Sequence, residues 1–329
     1  MKVFLTHTET AFANYYGERP LAALRQHAEV VRNPTGRVLQ GAALAEAAAG
    51  CDAIIADRAT PGLAETFAAA PDLAAFLRCA VDIGTIDVPA ASAAGVLVTR
   101  ATPGFTDSVA ELGMGLVIDL ARGVSAGVQA ARAGRAMVPA MGTQLRGATL
   151  GLVGYGRIAQ RMAALARAFG MEVLANDPSP PAAAEGVAFL PLRDVLAGAD
   201  FVVCLAPATP DTRDLMDAGA FAAMRRGAFF VNLARGELVD EAALAAALDS
   251  GHLGGAALDV GRAPDQMPSP ALAHRPDVVA TPHIGGLTRM ATEHQAMDTV
   301  RQVAALAAGT LPEGAVNAEA AHRLSRLGR

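Results

Sequence analysis

Arg235 and His283 are the residues best suited to chemistry, because each follows a short apolar run typical of a buried strand, at 229–232 and 278–281. A guanidinium binds a carboxylate through two parallel hydrogen bonds, and an imidazole can pass a proton near neutrality. Ligands of an open parallel sheet bind beyond the carboxyl ends of its strands. The pair is therefore predicted to face one crevice, where it could hold a 2-oxo acid and protonate its ketone.

Each side chain also has a structural interpretation, which the sequence leaves open. Arg235 could pair with Glu237 or Asp240 at the start of the following helix, and His283 could be an ordinary loop histidine. His7 also follows a strand and could line a crevice, but we expect it to be structural, as we do the remaining histidines.

A glycine-rich turn at residues 154–159 predicts a dinucleotide site, because a strand over 149–153 precedes it and a helix over 157–169 follows. Gly154 can take the tight conformation needed at the strand end. Gly156 lets the main chain approach a pyrophosphate, whose charge then lies on the amide groups of the helix N-terminus. Ala159 occupies the third position of the fingerprint, which accepts glycine or alanine.

Asp177 supports this interpretation, because it follows the strand predicted over 172–176 and lies 23 residues after Gly154. An acid about 20 residues after the first glycine typically binds the adenosine ribose hydroxyls. A carboxylate there would repel a 2′-phosphate, and no basic residue follows it directly. The sequence therefore favours NAD over NADP, and the alternative is a glycine turn that binds no ligand.

The elements that position these residues alternate between short apolar strands and helices, which predicts parallel sheets covered on both faces. A helix from about 290 to 308 has no strand partner and is expected to pack on the N-terminal region. We predict an α/β protein with two doubly wound parallel-sheet domains. They are a discontinuous flavodoxin-like substrate domain (1–100 and 287–329) and an inserted Rossmann NAD domain (101–286).

Composition excludes several classes of function. The formal net charge is −5 without a block of Lys or Arg, so neither nucleic acid nor an anionic membrane is an expected partner. The apolar run at 112–120 is interrupted by Asp119 and too short to span a bilayer. Cys51, Cys79 and Cys204 are odd in number and far apart, which indicates reduced thiols and neither disulfides nor a metal site. We expect a cytoplasmic protein, since the first apolar run is also too short for a signal peptide.

Several motifs in one order resemble the D-isomer-specific 2-hydroxyacid dehydrogenase family. They are Thr102-Pro103-Gly104, Val109-Ala110-Glu111-Leu112, the glycine fingerprint with Arg157-Ile158, Asp177-Pro178, Asn232-Leu233-Ala234-Arg235-Gly236, Val239-Asp240-Glu241, Gly255-Ala256-Ala257-Leu258-Asp259-Val260 and Thr281-Pro282-His283-Ile284-Gly285-Gly286. The resemblance implies an NAD-dependent oxidoreductase that moves a hydride to or from C2 of a small 2-hydroxy or 2-oxo acid. It also implies a cleft that closes over substrate, and a homodimer formed through the cofactor domains.

The resemblance assigns roles to individual residues. Arg235 would bind the substrate and His283 would be the catalytic acid/base, with further substrate contacts from Val81, Asp82 and Ile83. The cofactor contacts implied are Gly154, Tyr155, Gly156, Arg157, Ile158, Asp177, Ala234, Asp259, His283 and Gly285.

Two departures from the family pattern bear on function. The family has a glutamate five residues after the aspartate of the Ala-x-Asp-Val strand, where it binds the catalytic histidine, and here that position is Pro264. Asp265 or Gln266 could replace it, and Asp265 is our catalytic candidate. In the substrate loop, Asp82 stands where the family usually has glycine. The missing glutamate keeps an alternative open, a non-catalytic NAD-binding regulator of the corepressor type, whereas retention of Arg235 and His283 opposes it.

Overall fold

The computed structural model describes residues 1–182 and 184–327, which form two compact units. One unit contains Met1–Phe105 together with the segment that begins at Thr288, and the other contains Thr106–Leu287. Each unit is built around one parallel sheet, so the predicted α/β fold class with two parallel-sheet domains is confirmed. Residue 183, predicted for the second domain, and residues 328–329, predicted for the first, lie outside the described residues.

The N-terminal part of the first unit alternates strands with short helices. In chain order they are β1 (Lys2–Leu5), α1 (Glu9–Tyr15), α2 (Glu18–Leu24), β2 (Glu29–Arg32), α3 (Gly41–Ala47), β3 (Ala53–Ala56), α4 (Ala64–Ala69), β4 (Ala75–Arg78), α5 (Val88–Ala93) and β5 (Leu97–Thr99).

The first sheet has the strand order β2-β1-β3-β4-β5, and its strands other than the edge strand β2 are mostly apolar and buried, as expected where helices cover both faces. Successive side chains of a strand point to opposite faces. Accordingly, Val3 and Leu5 pack into one apolar cluster with Leu24, whereas Phe4 packs into the other with Phe67. The sheet is therefore buried on both faces except at its edge strand β2.

The second unit begins with a long helix and then repeats the alternation. Its elements are α6 (Thr106–Arg122), α7 (Val124–Arg132), β6 (Thr149–Val153), α8 (Arg157–Ala168), β7 (Glu172–Asn176), β8 (Ala188–Phe189), α9 (Leu192–Gly198), β9 (Phe201–Cys204), α10 (Ala218–Ala223), β10 (Phe229–Asn232), α11 (Glu241–Asp249), β11 (Gly255–Leu258), α12 (Pro270–Ala273) and β12 (Val278–Ala280).

The second sheet has the order β12-β11-β10-β9-β6-β7-β8, and its strands pair in parallel. From β6 the chain first builds β7 and β8 on one side and then returns to build β9 to β12 on the other. The strand order therefore reverses beside β6, and such a switch point is where open α/β sheets bind ligands. The glycine turn lies directly after β6, at this point.

The helix α13 (Arg289–Ala307) belongs to the first unit. Thr288 caps it by accepting a hydrogen bond from the Ala291 N–H group. Ala296, Val300 and Val303 form a helical stripe that packs into the same cluster as Leu24. No helix among residues 1–182 and 184–327 is long and apolar enough to cross a membrane.

The structure also contains elements that the sequence analysis did not anticipate. The helices α1 and α5 and the two-residue edge strand β8 fall in segments with little hydrophobic periodicity. The long helix α6 begins at Thr106 and ends at Arg122. Gly123 then takes a left-handed φ of 63°, and the chain starts α7 as a separate helix.

Candidate active site

The turn after β6 has the shape that a dinucleotide pyrophosphate requires. Gly154 has a φ of +90°, and a Cβ there would lie 2.7 Å from main-chain atoms of Ala206, so a side chain cannot be accommodated. A Cβ at Gly156 would have no atom within 4 Å, so space is open beside the turn. Gly156 caps α8 without a side-chain hydrogen bond, which leaves amide groups of Arg157 and Ile158 for an anion.

Asp177 lies against this turn. Its carboxylate accepts hydrogen bonds from the main-chain N–H of Tyr155 (2.7 Å) and of Ser179 (2.8 Å). The Tyr155 ring is buried and packs edge-on against Phe189, with ring centroids 5.0 Å apart, so Tyr155 can serve a ligand only through its main chain. The carboxylate is thereby fixed beside the turn, where the residues present fit an adenosine ribose and pyrophosphate.

Arg235 follows β10 on a turn that Asn232 holds together. The buried Asn232 side chain donates to the Arg235 carbonyl (3.0 Å) and accepts from the Ala234 N–H (3.1 Å). Arg235 itself is exposed, and its Nη1 donates to the Ala234 carbonyl (2.7 Å). Within the described residues it forms no ion pair with Glu237 or Asp240, and Asp240 instead caps α11. The structural interpretation of Arg235 as their partner is therefore wrong.

The loop that carries His283 is held by Asp259, the residue after β11. One carboxylate oxygen accepts from Thr281 Oγ1 (2.6 Å) and the Ile284 N–H (2.8 Å), and the other accepts from the Gly285 N–H (2.8 Å). Asp259 is 3% exposed, and a Cβ at Gly285 would lie 2.9 Å from its carboxylate. In this arrangement Asp259 fixes the conformation of the loop.

His283 has a left-handed φ of 54°, which is uncommon for a residue other than glycine. Its Nδ1 lies 3.0 Å from the main-chain carbonyl oxygen of Asp265. Because a carbonyl can only accept, Nδ1 carries the hydrogen in this contact. The Asp265 carboxylate forms no hydrogen bond or ion pair with another residue of the described chain. The expected side-chain partner, from Asp265 or Gln266, is thus replaced by a main-chain group.

The turn after β10 and the loop after β11 are in direct main-chain contact. A Cβ at Gly236 would overlap the main-chain carbonyl of Gly261, so the two segments approach as only glycine allows. The loop after β11 in turn contacts His283 through Asp265. Arg235 and His283 are therefore linked through one continuous set of packed main-chain segments at the carboxyl edge of the sheet.

In the first unit, the loop after β4 contains the three residues predicted to bind substrate. The exposed Asp82 turns its carboxylate back onto its own loop and accepts from the Gly84 N–H (2.8 Å). Ile83 is partly buried and packs on the cluster that contains Phe67, whereas Val81 is partly exposed. Asp82 thus occupies an N–H group that would otherwise be free to bind an anion.

No sequence motif pointed to Arg78, the last residue of β4, whose side chain supports this loop. Its side chain is fully buried, with Nη1 donating to the Asp57 carbonyl and Nη2 donating to Thr85 Oγ1 (2.8 Å). Burial lowers the pKa of Arg78, while Asp57 and Asp82 oppose that shift. The sequence feature that could have revealed Arg78 is a charged residue at the end of an otherwise apolar strand.

His7, after β1, is structural. It is 1% exposed and packs edge-on against Tyr16, with ring centroids 5.0 Å apart. Neither ring nitrogen has a hydrogen-bond partner among the residues that the structure describes. Burial lowers the pKa of His7 to about 4, and the nearby Asp57 opposes this only in part. The ring therefore remains neutral near neutral pH.

Two buried cysteines are poorly suited to nucleophilic chemistry. Cys79 and Cys204 are buried, and burial raises the pKa of each thiol to about 12, so neither is a ready nucleophile. In residues 1–182 and 184–327, no group of three or more His, Cys, Asp or Glu side chains could hold a metal ion.

Comparison with known families matches the second unit. The family model described as D-isomer specific 2-hydroxyacid dehydrogenase, NAD binding domain, matches residues 114–285. This is more than half of the chain. The expectation that the second domain binds NAD is thereby confirmed.

Comparison with individual proteins extends the likeness to most of the chain. D-3-phosphoglycerate dehydrogenase of Mycobacterium bovis is 40% identical over 270 residues, which cover 81% of this chain and 51% of that protein. The chain thus spans about half the length of the phosphoglycerate dehydrogenases that it matches. (S)-sulfolactate dehydrogenase of Chromohalobacter salexigens is 37% identical over 303 residues, covering 90% of this chain and 97% of that protein.

Solved structures agree with these matches. The TT0316 protein from Thermus thermophilus is 35% identical, with a TM-score of 0.80 over 96% of this chain and 100% of that one. The apo D-lactate dehydrogenase from Escherichia coli is 24% identical, with a TM-score of 0.80 over 96% and 100% of the two chains, and shows the fold alone.

Proposed function

The chain belongs to the D-isomer specific 2-hydroxyacid dehydrogenase family, and we propose on that premise that it is an NAD-dependent oxidoreductase. Its substrate would be a small 2-hydroxy or 2-oxo acid that reacts at C2. The comparisons do not support the alternative of a non-catalytic regulator. The two relatives described above are D-3-phosphoglycerate dehydrogenase and (S)-sulfolactate dehydrogenase, and both names denote enzymes.

One observation carries the proposal. Arg235 and His283 lie on loops that follow β10 and β12 at one edge of one sheet, and the intervening loop contacts His283 and the residue directly after Arg235. A cation that can hold a carboxylate is thus fixed relative to an imidazole that can move a proton. Fixing reacting groups in this way lowers the entropy cost of a reaction.

Arg235 has donors left for a substrate. Only Nη1 is used by a described residue, the neighbouring Ala234 carbonyl, so the rest of the guanidinium can bind an anion. A substrate carboxylate would receive two parallel hydrogen bonds, and a nearby ketone oxygen would be stabilised as negative charge develops on it. The side chain therefore both orients the acid and assists the reaction at its C2.

His283 would move the proton at Nε2, because Nδ1 is engaged by the Asp265 carbonyl. In reduction, protonated Nε2 would donate to the ketone oxygen, and in oxidation neutral Nε2 would take the hydroxyl proton. The chemistry that NAD supplies when bound is acceptance or donation of a hydride.

The residues that would hold NAD are those of the turn after β6. Gly156, Arg157 and Ile158 would bind the pyrophosphate through main-chain amide groups, and Asp177 would bind the ribose. Gly154 would contribute the tight turn beside the cofactor, because its own N–H donates to the Asn176 carbonyl (2.8 Å). We keep Tyr155, Ala234, Asp259 and Gly285 as further cofactor contacts on the family resemblance, Tyr155 through its main chain. The same resemblance supports substrate contacts for Val81, Asp82 and Ile83.

A substrate panel tests the proposed function. Purified protein is assayed with glyoxylate, pyruvate, hydroxypyruvate, phosphohydroxypyruvate and sulfopyruvate, each with NADH and with NADPH, by following nicotinamide absorbance. We expect turnover of at least one acid with NADH that Arg235→Ala and His283→Ala both abolish. Failure to reduce any of these acids with either cofactor, with NADH still bound, would contradict the enzyme assignment.

We further propose a homodimer formed through the segment 124–141 of the second unit. The helix α7 buries none of its side chains, and Val124, Val128, Met137, Val138 and Met141 are all exposed. So many exposed apolar side chains in one segment indicate an interaction surface. A second copy is the proposed occupant, because the family resemblance implies a dimer through this domain.

Sedimentation velocity tests the dimer. Val128→Asp combined with Val138→Asp should convert a dimer into a monomer, since burying two carboxylates is costly. Val38→Asp, at an exposed valine of the first unit, is the matched control and should leave the dimer intact. A wild-type protein that sediments as a monomer at micromolar concentration would overturn the proposal.

Our proposal includes a reducing compartment such as the cytoplasm. Cys51, Cys79 and Cys204 are free and buried in the fold, and the structure forms no disulfide among them. Free buried thiols are typical of such compartments.

A further inference from the structure

We propose that the main-chain carbonyl of Asp265 is the group that orients His283, and that Arg262 holds the carbonyl in place. Asp265 and Arg262 are then positioning residues, since neither is argued to touch a substrate. This inference rests on the proposed function, because it concerns the histidine that would move the proton. Its evidence is the conformation of the loop at 261–268, here called the carbonyl loop.

The carbonyl loop takes a strained conformation that directs the Asp265 carbonyl toward His283 Nδ1. Asp265 has a φ of 57° and Gln266 a φ of 58°, and the His283 that they face has a φ of 54°. Three left-handed residues other than glycine thus surround a single hydrogen bond. Such conformations are energetically unfavourable and persist only where the surrounding structure enforces them.

Hydrogen bonds within the carbonyl loop help to hold these left-handed residues in place. The Gly261 N–H donates to the Gln266 carbonyl (2.9 Å), and the Ala263 N–H donates to the Met267 carbonyl (3.0 Å). A Cβ at Gly261 would lie 2.5 Å from Pro268 Cα, so the two ends of the loop approach closely. The peptide after Asp265 is thereby held at the tip of a closed loop.

Arg262 attaches this loop to the turn that carries Arg235. Its guanidinium pairs with Asp214 and reaches the carbonyls of Gly236 and Glu237, each at 3.3 Å. Its main-chain N–H donates to the Glu241 carboxylate (3.2 Å). One side chain therefore connects the segment that orients His283 with the residues directly after Arg235.

A carbonyl has a different consequence from a carboxylate at this position. It accepts the Nδ1 hydrogen whether or not Nε2 is protonated, so the ring keeps one orientation through the reaction. It carries no formal charge, and it depends on no side chain at position 265. The orientation of His283 should therefore survive substitutions of Asp265 that preserve the backbone, and it should be sensitive to Arg262.

The direct test is the tautomer of His283 in the free protein. Protein labelled with 15N-histidine is studied by NMR at alkaline pH, and the His283 signals are assigned by their loss in His283→Ala. We expect Nδ1 to be the protonated nitrogen and Nε2 the unprotonated one. The opposite tautomer in the wild-type protein would overturn the proposal.

The Asp265 variants separate the carbonyl from the carboxylate. Asp265→Asn removes the charge, and asparagine and glycine both tolerate a left-handed φ. We expect Asp265→Asn and Asp265→Gly to keep the wild-type tautomer and the wild-type position of the pH profile of kcat/KM. A displaced pH profile in Asp265→Asn would show that the carboxylate is the partner and would overturn the proposal.

Arg262→Met tests the attachment while keeping an unbranched side chain of similar length. We expect it to mix the two tautomers and to lower kcat by about ten- to a hundredfold, because small misplacements of catalytic groups are costly. The matched control is Arg225→Met, which removes an Arg–Asp pair with Asp200 elsewhere in the same unit and should behave as wild type. If Arg262→Met does not fold, Arg262→Lys takes its place with a smaller expected loss.

The outcomes distinguish this inference from the proposed function. A wild-type tautomer and wild-type kcat in Arg262→Met would remove Arg262 from the proposal. A protein that reduces 2-oxo acids but holds His283 in the opposite tautomer would refute the inference alone. A protein that turns over no acid yet shows the predicted tautomers would refute the proposed function alone.

Discussion

Replacing His7 by phenylalanine should make the first unit markedly less sensitive to acid. The His7 ring is buried, and neither of its nitrogens has a hydrogen-bond partner among the residues described. Phenylalanine therefore removes no side-chain hydrogen bond and keeps an aromatic ring against Tyr16. What it removes is a group that must gain a proton when the chain unfolds at low pH.

The magnitude follows from the pKa of His7, which burial lowers from 6.5 to about 4. Between these pH values the unfolded chain binds a proton that the folded chain does not, so stability falls as the pH falls through that window. Each pKa unit corresponds to about 1.4 kcal/mol, so a shift from 6.5 to about 4 gives a total of about 3.5 kcal/mol. By about pH 4.5 the wild type should have lost about 2 to 3 kcal/mol that the variant keeps.

Urea unfolding measures this difference. The chain has no tryptophan, so far-UV circular dichroism is the appropriate signal. Hydrogen exchange of peptides from β1 reports the first unit separately, in case the two units unfold at different urea concentrations. The quantity compared is the free energy of unfolding at about pH 7.5 minus that at about pH 4.5, which cancels any packing cost that does not depend on pH.

His27→Phe is the matched control, since it removes an exposed imidazole from the same unit. It should lose stability between the two pH values as the wild type does. The reasoning is refuted if His7→Phe and the wild type lose equal free energy over this range. That result would mean that His7 is protonated in the folded protein as easily as in the unfolded one.

Three further predictions concern the proposed site. Arg235→Lys should recover little of the activity that Arg235→Ala loses, because an ammonium lacks the planar fork, and NADH affinity measured by titration should hardly change. Asp82→Gly should lower KM for glyoxylate or pyruvate roughly tenfold by freeing the Gly84 N–H and removing a negative charge, and unchanged KM values across the panel would contradict this. Asp177→Asn keeps an acceptor for the Tyr155 N–H but removes the charge, so its preference for NADH over NADPH should fall about tenfold in paired titrations.

The features that the sequence predicted well are encoded locally. The strand before Gly154 and the helix after it follow from an apolar run, a glycine turn and helical periodicity within a short segment. The positions of Arg235 and His283 after β10 and β12 follow from two further apolar runs. In a parallel sheet, strand ends share an edge, so placing two strands also places the residues that follow them.

The partner of His283 could not be predicted in the same way. From the sequence, the candidate side-chain partners of His283 are the carboxylate of Asp265 and the amide of Gln266. The observed acceptor is a main-chain carbonyl, which every residue has, and its direction depends on left-handed angles at two successive positions. No periodicity or residue type encodes that conformation, because Asp and Gln take it only where the loop requires it.

Arg78 and Arg262 escaped prediction for a related reason. Arg78 is buried because the Asp57 carbonyl and the Thr85 hydroxyl meet its guanidinium, and these partners come from different loops. The Arg262 guanidinium donates to the Gly236 and Glu237 carbonyls in the turn after β10, which is distant in sequence. Charged residues of this kind are recognised only once the tertiary structure shows what their donors contact.

Main-chain packing and main-chain acceptors recur throughout the second unit's site. Gly154 packs on the main chain of Ala206, Gly236 packs on that of Gly261, and His283 donates to a carbonyl. Glycine positions of this type tolerate no side chain. A residue such as Asp265, which contacts His283 only through its carbonyl, can in contrast carry different side chains. The absence of the family's glutamate therefore need not end catalysis, provided that a loop presents a carbonyl at the same nitrogen. In such a site the glycines and the loop attachment constrain function more tightly than the identity of the residue that contacts the histidine.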